Sequence, residues 1–168
     1  QQAVRHVIGL TDCLSESAVQ PHPHAFSPRE APSNPPFDLT RLMNILDKIM
    51  KPRSIAVVGA STKQHTIGSD IMKRLREYGY AGPVYPVNPK GGVIEGLPAY
   101  ATVLDIPGEV DLAVIIVNAR FVLQTIDQCH EKGIKGLCVI SAGFKETGTE
   151  GARLEAELLE RVRRYGMR

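Results

Sequence analysis

Apolar residues along this chain follow two rhythms. Short, nearly continuous apolar runs occur at Ser54–Val58, Pro83–Val87, Asp111–Val117 and Gly136–Ser141. Such runs predict strands covered on both faces. Between them, apolar residues recur at helical spacing. Ile71, Leu75 and Tyr78 align within Ile67–Tyr78. Val122, Ile126 and Cys129 align within Arg120–Lys132, and Leu154, Leu158, Val162 and Tyr165 within Thr149–Tyr165. Gly79 and Gly133 are placed to stop the first two helices. A short helix precedes the first strand: Asp38 can cap it, Leu42, Ile45, Leu46 and Ile49 form its apolar side, and Pro52 ends it. After the second strand come a Gly91-Gly92 turn, a short segment around Ile94–Tyr100 and a helical turn near Ala101–Leu104. Strands alternating with helices predict an α/β fold, an open parallel sheet with helices on both faces and right-handed crossovers. Gly166-Met167-Arg168 reads as the entry to a fifth strand, so the sheet is expected to be truncated at its C-terminal side.

Ahead of residue 38 the rhythm disappears. Pro21–Pro36 holds six of the twelve prolines. Proline fixes φ and removes a donor, so residues 1–37 are expected to form a linker or disordered extension, with residues 38–168 as the domain. His22 and His24 flank Pro23 and belong to that Pro/His-rich tail. The chain of 168 residues is long enough for one real core. Its net charge of +2 suggests neither a nucleic-acid nor a membrane partner. Leu112–Val117 is the longest apolar run and is far too short to cross a bilayer. Cys13, Cys129 and Cys138 are odd in number and lack disulfide or zinc spacing. Cys129 and Cys138 lie in apolar stretches and read as buried thiols in a reducing, cytoplasmic compartment. Glu157–Arg161 and Glu160–Arg164 read as surface pairs that solvate the last helix.

Candidate chemistry lies in four loops that leave strand carboxyl ends, where open α/β sheets bind ligands. The first, Gly59–Gly68, matches neither GxGxxG nor the phosphate-binding GxxxxGK[ST] pattern. It offers backbone N–H groups at Gly59, hydroxyl and amide donors at Ser61, Thr62 and Gln64, and a cation at Lys63, all suited to phosphate or ribose oxygens. The second is Asn88-Pro89-Lys90. A dinucleotide site commonly ends this strand with an acid that bonds the ribose hydroxyls. An ammonium instead attracts a phosphorylated ribose, so NADP or coenzyme A fits better than NAD. In the third loop, Asn118 can meet an adenine edge or cap the next helix. The fourth, Ser141–Thr147, opens with Ser141-Ala142-Gly143, small residues where a backbone must approach a ligand closely. Glu146, further along it, reads as an exposed carboxylate rather than a catalytic one.

Asn88-Pro89-Lys90, Asp111-Leu-Ala-Val-Ile-Ile-Val117 and Val139-Ile-Ser-Ala-Gly-Phe-Lys-Glu146 resemble the N-terminal CoA-binding domain of NDP-forming acyl-CoA synthetases. That group includes ADP-forming acetyl-CoA synthetase and is related to the succinyl-CoA synthetase α subunit. The resemblance covers about Leu39–Arg168. It implies a Rossmann-like fold and coenzyme A or acyl-CoA as ligand. Ser61–Gln64 would contact the CoA phosphates, Lys90 the ribose phosphate, and Ile140–Gly143 the pantetheine arm. The parent reaction would be acyl-CoA + ADP + phosphate ⇌ acid + CoA + ATP, running through acyl phosphate and a phosphohistidine. Neither that histidine nor the ATP-grasp module is found here, so this fragment alone is expected to be inactive. They would reside in downstream domains or a β subunit. The family often has Pro where this chain has Asn118, which leaves the adenine contact there open. None of the five histidines matches the setting of the catalytic one, although His65 would border the ligand. Three other readings remain: a stand-alone CoA-binding or regulatory module, the synthetase-like region of a protein-lysine acetyltransferase, and an NADP-binding oxidoreductase domain.

Overall fold

The computed structural model describes residues 39–168. The Pro-rich extension, the Asp38 cap, Cys13, His22 and His24 lie outside the described residues. Four strands form the main sheet: β1 (Ile55–Val58), β2 (Val84–Val87), β5 (Leu112–Ile115) and β6 (Gly136–Val139). Their order is β2-β1-β5-β6, and every pairing is parallel. Two short strands, β3 (Val93–Ile94) and β4 (Leu97–Pro98), form a separate antiparallel hairpin. The helices are α1 (Leu39–Met50), α2 (Ile67–Glu77), α3 (Ala119–Lys132) and α4 (Thr149–Arg164). The fold is therefore the expected α/β, Rossmann-like one. Pro86 sits in β2, the edge strand of this set, where its missing N–H costs least.

Alternation along each strand distributes the core over both faces. Ala56, Val58, Ala113 and Ile115 pack on one side with Val122, Ile126 and Cys129 of α3 and with Leu158 and Val162 of α4. Ile55, Val57, Leu112 and Val114 pack on the other with Met72, Ile71 and Leu75 of α2 and Ile49 of α1. Burying each of these aliphatic side chains contributes roughly 1.5–3 kcal/mol. Burial pushes the Cys129 thiol up to about 12 and leaves it inert. α3 ends with Gly133 in the left-handed region, and Ile134 donates back to the Cys129 carbonyl. Beside β6, the Arg168 N–H reaches Lys135 O (3.0 Å) and Leu137 N–H reaches Arg168 O (2.7 Å). This is the parallel pairing expected of residue 168, and Met167 is fully buried.

Some expectations need correction. Tyr78 does not face the core and is 81% exposed. The helix stops at Glu77, Gly79 reverses the chain, and Tyr80 packs inward instead, its hydroxyl donating to Pro52 O. Cys138 is exposed, because α1 reaches only the amino end of β6, where its Ile49 lies against Gly136. Strand β6 ends at Val139, two residues short of the predicted end. Arg161 does more than solvate α4. It pairs with Glu157 and also with Asp127 of α3, whose second carboxylate oxygen accepts from the Tyr165 hydroxyl. The two helices are thus tied together across their interface.

A buried charge anchors the amino edge of the sheet. Asp111, 2% exposed, begins the β5 segment. Its carboxylate accepts from Arg53 Nε (3.0 Å), the Arg53 backbone N–H (3.1 Å) and Lys48 Nζ of α1 (2.9 Å). Its own N–H donates to Ser54 Oγ, which donates in turn to Glu109 O. These bonds, chiefly that from the Arg53 side chain, hold the Asp111 carboxyl well below the usual carboxylate range. A depressed carboxyl stabilises the fold above its unfolded value of about 3.9 and loses that effect as pH falls toward its folded value. Asp111→Asn should therefore cost about 2 kcal/mol at pH 7. In urea unfolding from pH 7 to 2.5, the deficit should stay constant down to about pH 4 and shrink below it. A deficit that grows with acid would contradict this assignment.

Candidate functional site

The carboxyl ends of the four parallel strands open on one edge. From β2 to β6 that edge spans three strand spacings, about 14 Å, which suits an elongated ligand. The chain moves outward from β1 to β2 and then returns to the opposite side of β1 to form β5. This reversal places a crevice between the loops that follow β1 and β5.

The first loop is built on two close backbone approaches. Gly59 has φ +94°, and a Cβ there would lie 2.1 Å from Ile116 O at the end of β5. Gly68, in the first turn of α2, has an ordinary φ, but a Cβ would lie 2.4 Å from Gly59 O. The helix start is therefore pressed against the strand end, as in dinucleotide-binding turns, with a longer loop between the two glycines. Thr66 caps α2: its hydroxyl accepts from Ser69 N–H, and Ser69 Oγ accepts from Thr66 N–H. Ser61 Oγ accepts from Lys63 N–H at 3.0 Å. Thr62, Lys63 and Gln64 are exposed at the tip, as is His65, which sits at φ +60°.

Asn88 joins the second loop to the first. Its side-chain Nδ2 donates to Ala60 O (2.7 Å), and its Oδ1 accepts from Lys90 N–H (2.9 Å). The Asn88 amide is thus spent inside the protein, holding Pro89 and Lys90 exposed at the end of the turn. In the third loop the open alternative resolves toward a cap: Asn118 Oδ1 accepts from Arg120 N–H at 3.2 Å at the start of α3. Arg120 itself was not singled out from sequence. Its guanidinium lies 4.6 Å from the Phe121 ring centroid, and the adjacent Arg-Phe pair at a helix start was the available signal.

The fourth loop carries the most telling atom. Ser141 Oγ is buried and has no hydrogen-bond partner among the described residues. A buried hydroxyl without a partner costs about 1–3 kcal/mol, so such atoms mark places where a bound group completes the bonding. Ile140 and Ala142 are exposed on either side of it. Gly143 has φ +110°, and a Cβ there would come within 2.9 Å of Ala119 Cβ. A cavity of about 430 Å³ lies here, lined by Asn118, Ala119, Arg120, Ala142, Gly143 and Leu154. Glu146 is exposed, yet its carboxylate accepts from Gly143 N–H (2.6 Å) and Phe144 N–H (3.1 Å). Among the described residues no group of three or more His, Cys, Asp or Glu side chains could hold a metal ion.

Comparisons with known proteins agree with this geometry. The family described as "CoA binding domain" matches residues 53–168. The α subunit of ADP-forming acetate–CoA ligase I from Pyrococcus furiosus is 51% identical over 127 residues, covering 73% of this chain and 28% of that protein. ADP-forming acetate–CoA ligase I from Archaeoglobus fulgidus is 47% identical over 73% of this chain and 18% of that protein. Among solved structures, the dinucleotide-forming acetyl-coenzyme A synthetase 1 of Ca. Korarchaeum cryptofilum, in complex with phosphate and ADP, superposes with a TM-score of 0.69. It is 46% identical and covers 73% of this chain and 26% of that one. This chain belongs to the family of CoA-binding domains. It spans 18–28% of the length of the ligases it matches.

The close approach at Gly68 makes a prediction that separates steric from conformational cost. Gly68→Ala should lower stability by about 1–3 kcal/mol, because the new methyl must displace a backbone carbonyl. Gly79→Ala, where nothing lies within 4 Å of the new Cβ, should cost only its positive-φ strain, about 1 kcal/mol. Thermal melts of both variants test this; equal losses would contradict it.

Proposed function

We propose that residues 53–168 bind coenzyme A along the carboxyl edge of the sheet, as the CoA-binding part of an ADP-forming acyl-CoA ligase of the acetate–CoA type. The single observation that favours a bound ligand here is the buried, unpartnered Ser141 hydroxyl in the loop that leaves the carboxyl end of β6. Family membership and the ligase relatives support CoA as its identity. In this reading Lys90 meets the ribose phosphate at the β2 end. Gly59 N–H is held by Val87 O (3.0 Å) and only shapes the turn; the backbone N–H groups beyond it, with Ser61, Thr62, Lys63 and Gln64, meet the diphosphate. Ile140, Ser141, Ala142 and Gly143 line the uncharged pantetheine arm. Asn88, Pro89 and Asn118 hold these loops in place. The acyl-phosphate and phosphohistidine steps of the parent reaction belong to other domains or to a β subunit, and the assembled enzyme works in the cytoplasm.

What the residues present do is bind and orient. The edge carries Lys63 and Lys90 on the first two loops and offers uncharged, mostly small side chains at Ile140–Gly143, with Arg120 across the cavity. A molecule with a phosphorylated nucleotide and a long neutral arm matches that sequence of surfaces. NADP carries phosphates and a second aromatic base but no such arm.

One structural relative favours a second reading. A conserved hypothetical protein from Pyrococcus furiosus is 34% identical with a TM-score of 0.53, and this chain covers 87% of it. A protein of that size supports a stand-alone CoA-binding module. Immunoblotting the source cells separates the two: a band near 18.4 kDa fits the module, and a much larger one fits a ligase chain.

Isothermal titration tests the ligand. CoA should bind one-to-one, and NADPH should not compete; binding of NADPH without CoA would overturn the proposal. Lys90→Ala should weaken CoA about fivefold, the effect of about 1 kcal/mol at an exposed charge pair. Dephospho-CoA should bind both proteins alike. Equal losses for the two ligands would mean that Lys90 does not read the ribose phosphate.

A further inference from the structure

We infer that Glu146 is a positioning residue that fixes the Ser141–Phe144 backbone in its ligand-accepting shape; the inference rests on the reading that CoA occupies this edge. Glu146 touches no reacting atom in this scheme. It acts through the loop that it holds.

The geometry argues for this role in three ways. First, the bonds are directed backward. Glu146 begins no long helix of its own but sits in the short 3-10 turn Lys145–Thr147. Its Oε1 reaches back to accept from both Gly143 and Phe144 N–H groups, at 2.6 and 3.1 Å. One oxygen therefore fixes two successive peptide units. Second, the peptide held at Gly143 needs holding. Gly143 has φ +110°, and as a glycine it is the residue in this loop with the widest choice of conformations. Gly143 and Ala119 both line the cavity between the third and fourth loops, so its alternatives would reshape that wall. Third, the loop is braced around this clamp. Thr147 N–H and Oγ1 both donate to Phe144 O, at 2.8 Å each. Gly151 leaves space for that same carbonyl, since a Cβ there would lie 1.9 Å from it. Lys145 N–H donates to Glu155 on α4. The clamp, the brace and α4 thus fix the Gly143 and Phe144 peptides, two and three residues beyond the unpartnered Ser141 hydroxyl.

The backbone bonds, that from Gly143 first, also hold the Glu146 carboxyl below its ordinary range. Its charged neighbours are Lys145 on the same turn, Glu150 and Glu155 on α4, and Arg120 across the cavity on α3. An anion already seated on these two N–H groups also denies them to a ligand phosphate. The fourth loop is thereby reserved for a neutral part of the ligand.

The test uses the whole chain, in the wild type, Glu146→Ala and Glu146→Gln. CoA affinity is read by calorimetry, and the Gly143 and Phe144 amides are read by NMR. Glu146→Ala should speed exchange at those two amides about tenfold or more and weaken CoA about tenfold, with the melting temperature nearly unchanged. Glu146→Gln, which keeps an oxygen acceptor without the charge, should fall between. If the alanine variant does not fold, the glutamine variant decides by the same two readings. In the wild type, the Gly143 amide proton should shift with acid at a midpoint below the ordinary glutamate value of about 4.3, and this shift should vanish in Glu146→Gln. Unchanged CoA affinity in a folded variant, unchanged amide exchange, or a midpoint at or above the ordinary value would overturn the inference alone. Failure of the wild type to bind CoA would overturn the underlying reading and this inference with it.

Discussion

The pairing of β1 with β5 is the constraint on which the rest of this structure depends. Four residues of each strand lie side by side, Ile55 opposite Leu112 through Val58 opposite Ile115, and all eight are buried. Strands buried on both faces cannot slip by one residue without exchanging the packing of the two layers. A single register therefore fixes both ends at once. At the amino end it brings Arg53 and Ser54 to Asp111. At the carboxyl end it brings Gly59 against Ile116 O, and the crevice opens where the two chains part.

Polar groups divide their labour between those ends. The amino edge concentrates a satisfied charge: Asp111 takes its partners from α1 and from the segment entering β1, so it fastens a helix to the sheet. The carboxyl edge holds its loops mostly with side chain to backbone bonds, from Asn88, Thr66, Asn118 and Glu146. These order the loop backbones while leaving the Lys63 and Lys90 ammonium groups and the Ser141 hydroxyl without hydrogen-bond partners among the described residues. A scaffold that pre-orders its loops loses less conformational freedom when a ligand arrives. Arg161 and Tyr165 meeting on Asp127 serve the same end at a distance, since they fix α4, and the fourth loop leans on α4.

Much of this was legible in the chain. Continuous apolar runs gave the four parallel strands, because two-faced burial leaves little room for polar residues. Helical spacing gave α2, α3 and α4 within a few residues. The exposed place of Lys90 at the end of β2 was readable, and its charge stood out against the acid common at that strand end. Other features were hidden for physical reasons. Tyr78 has the spacing of a core residue, but Gly79 turns the chain one residue later and Tyr80 takes the inward place. Cys138 lies in an apolar run, yet exposure depends on how far α1 extends over β6, which is a tertiary property. The double role of Asn118 could not be divided from sequence, because a helix cap and a ligand contact ask for the same side chain. Gly68 escaped notice because its need for a missing side chain arises from a neighbour nine residues earlier. Glu146 was read as exposed, which it is, but its backbone bonds stayed hidden because surface exposure and backbone bonding are compatible.

The contact of Gly68 with Gly59 has one more consequence. It closes the first loop at its base, so residues 61–65, beyond the buried Ala60 and before the Thr66 cap, leave and re-enter near one point of the fold. A segment closed in this way is a mechanically separate excursion. Its length enters the free energy only through chain entropy, about 0.6 kcal/mol for each doubling. Insertions or exchanges at its tip need not move α2 or the sheet. The part of the edge proposed to meet the ligand's charges is therefore the part this architecture leaves freest to diverge.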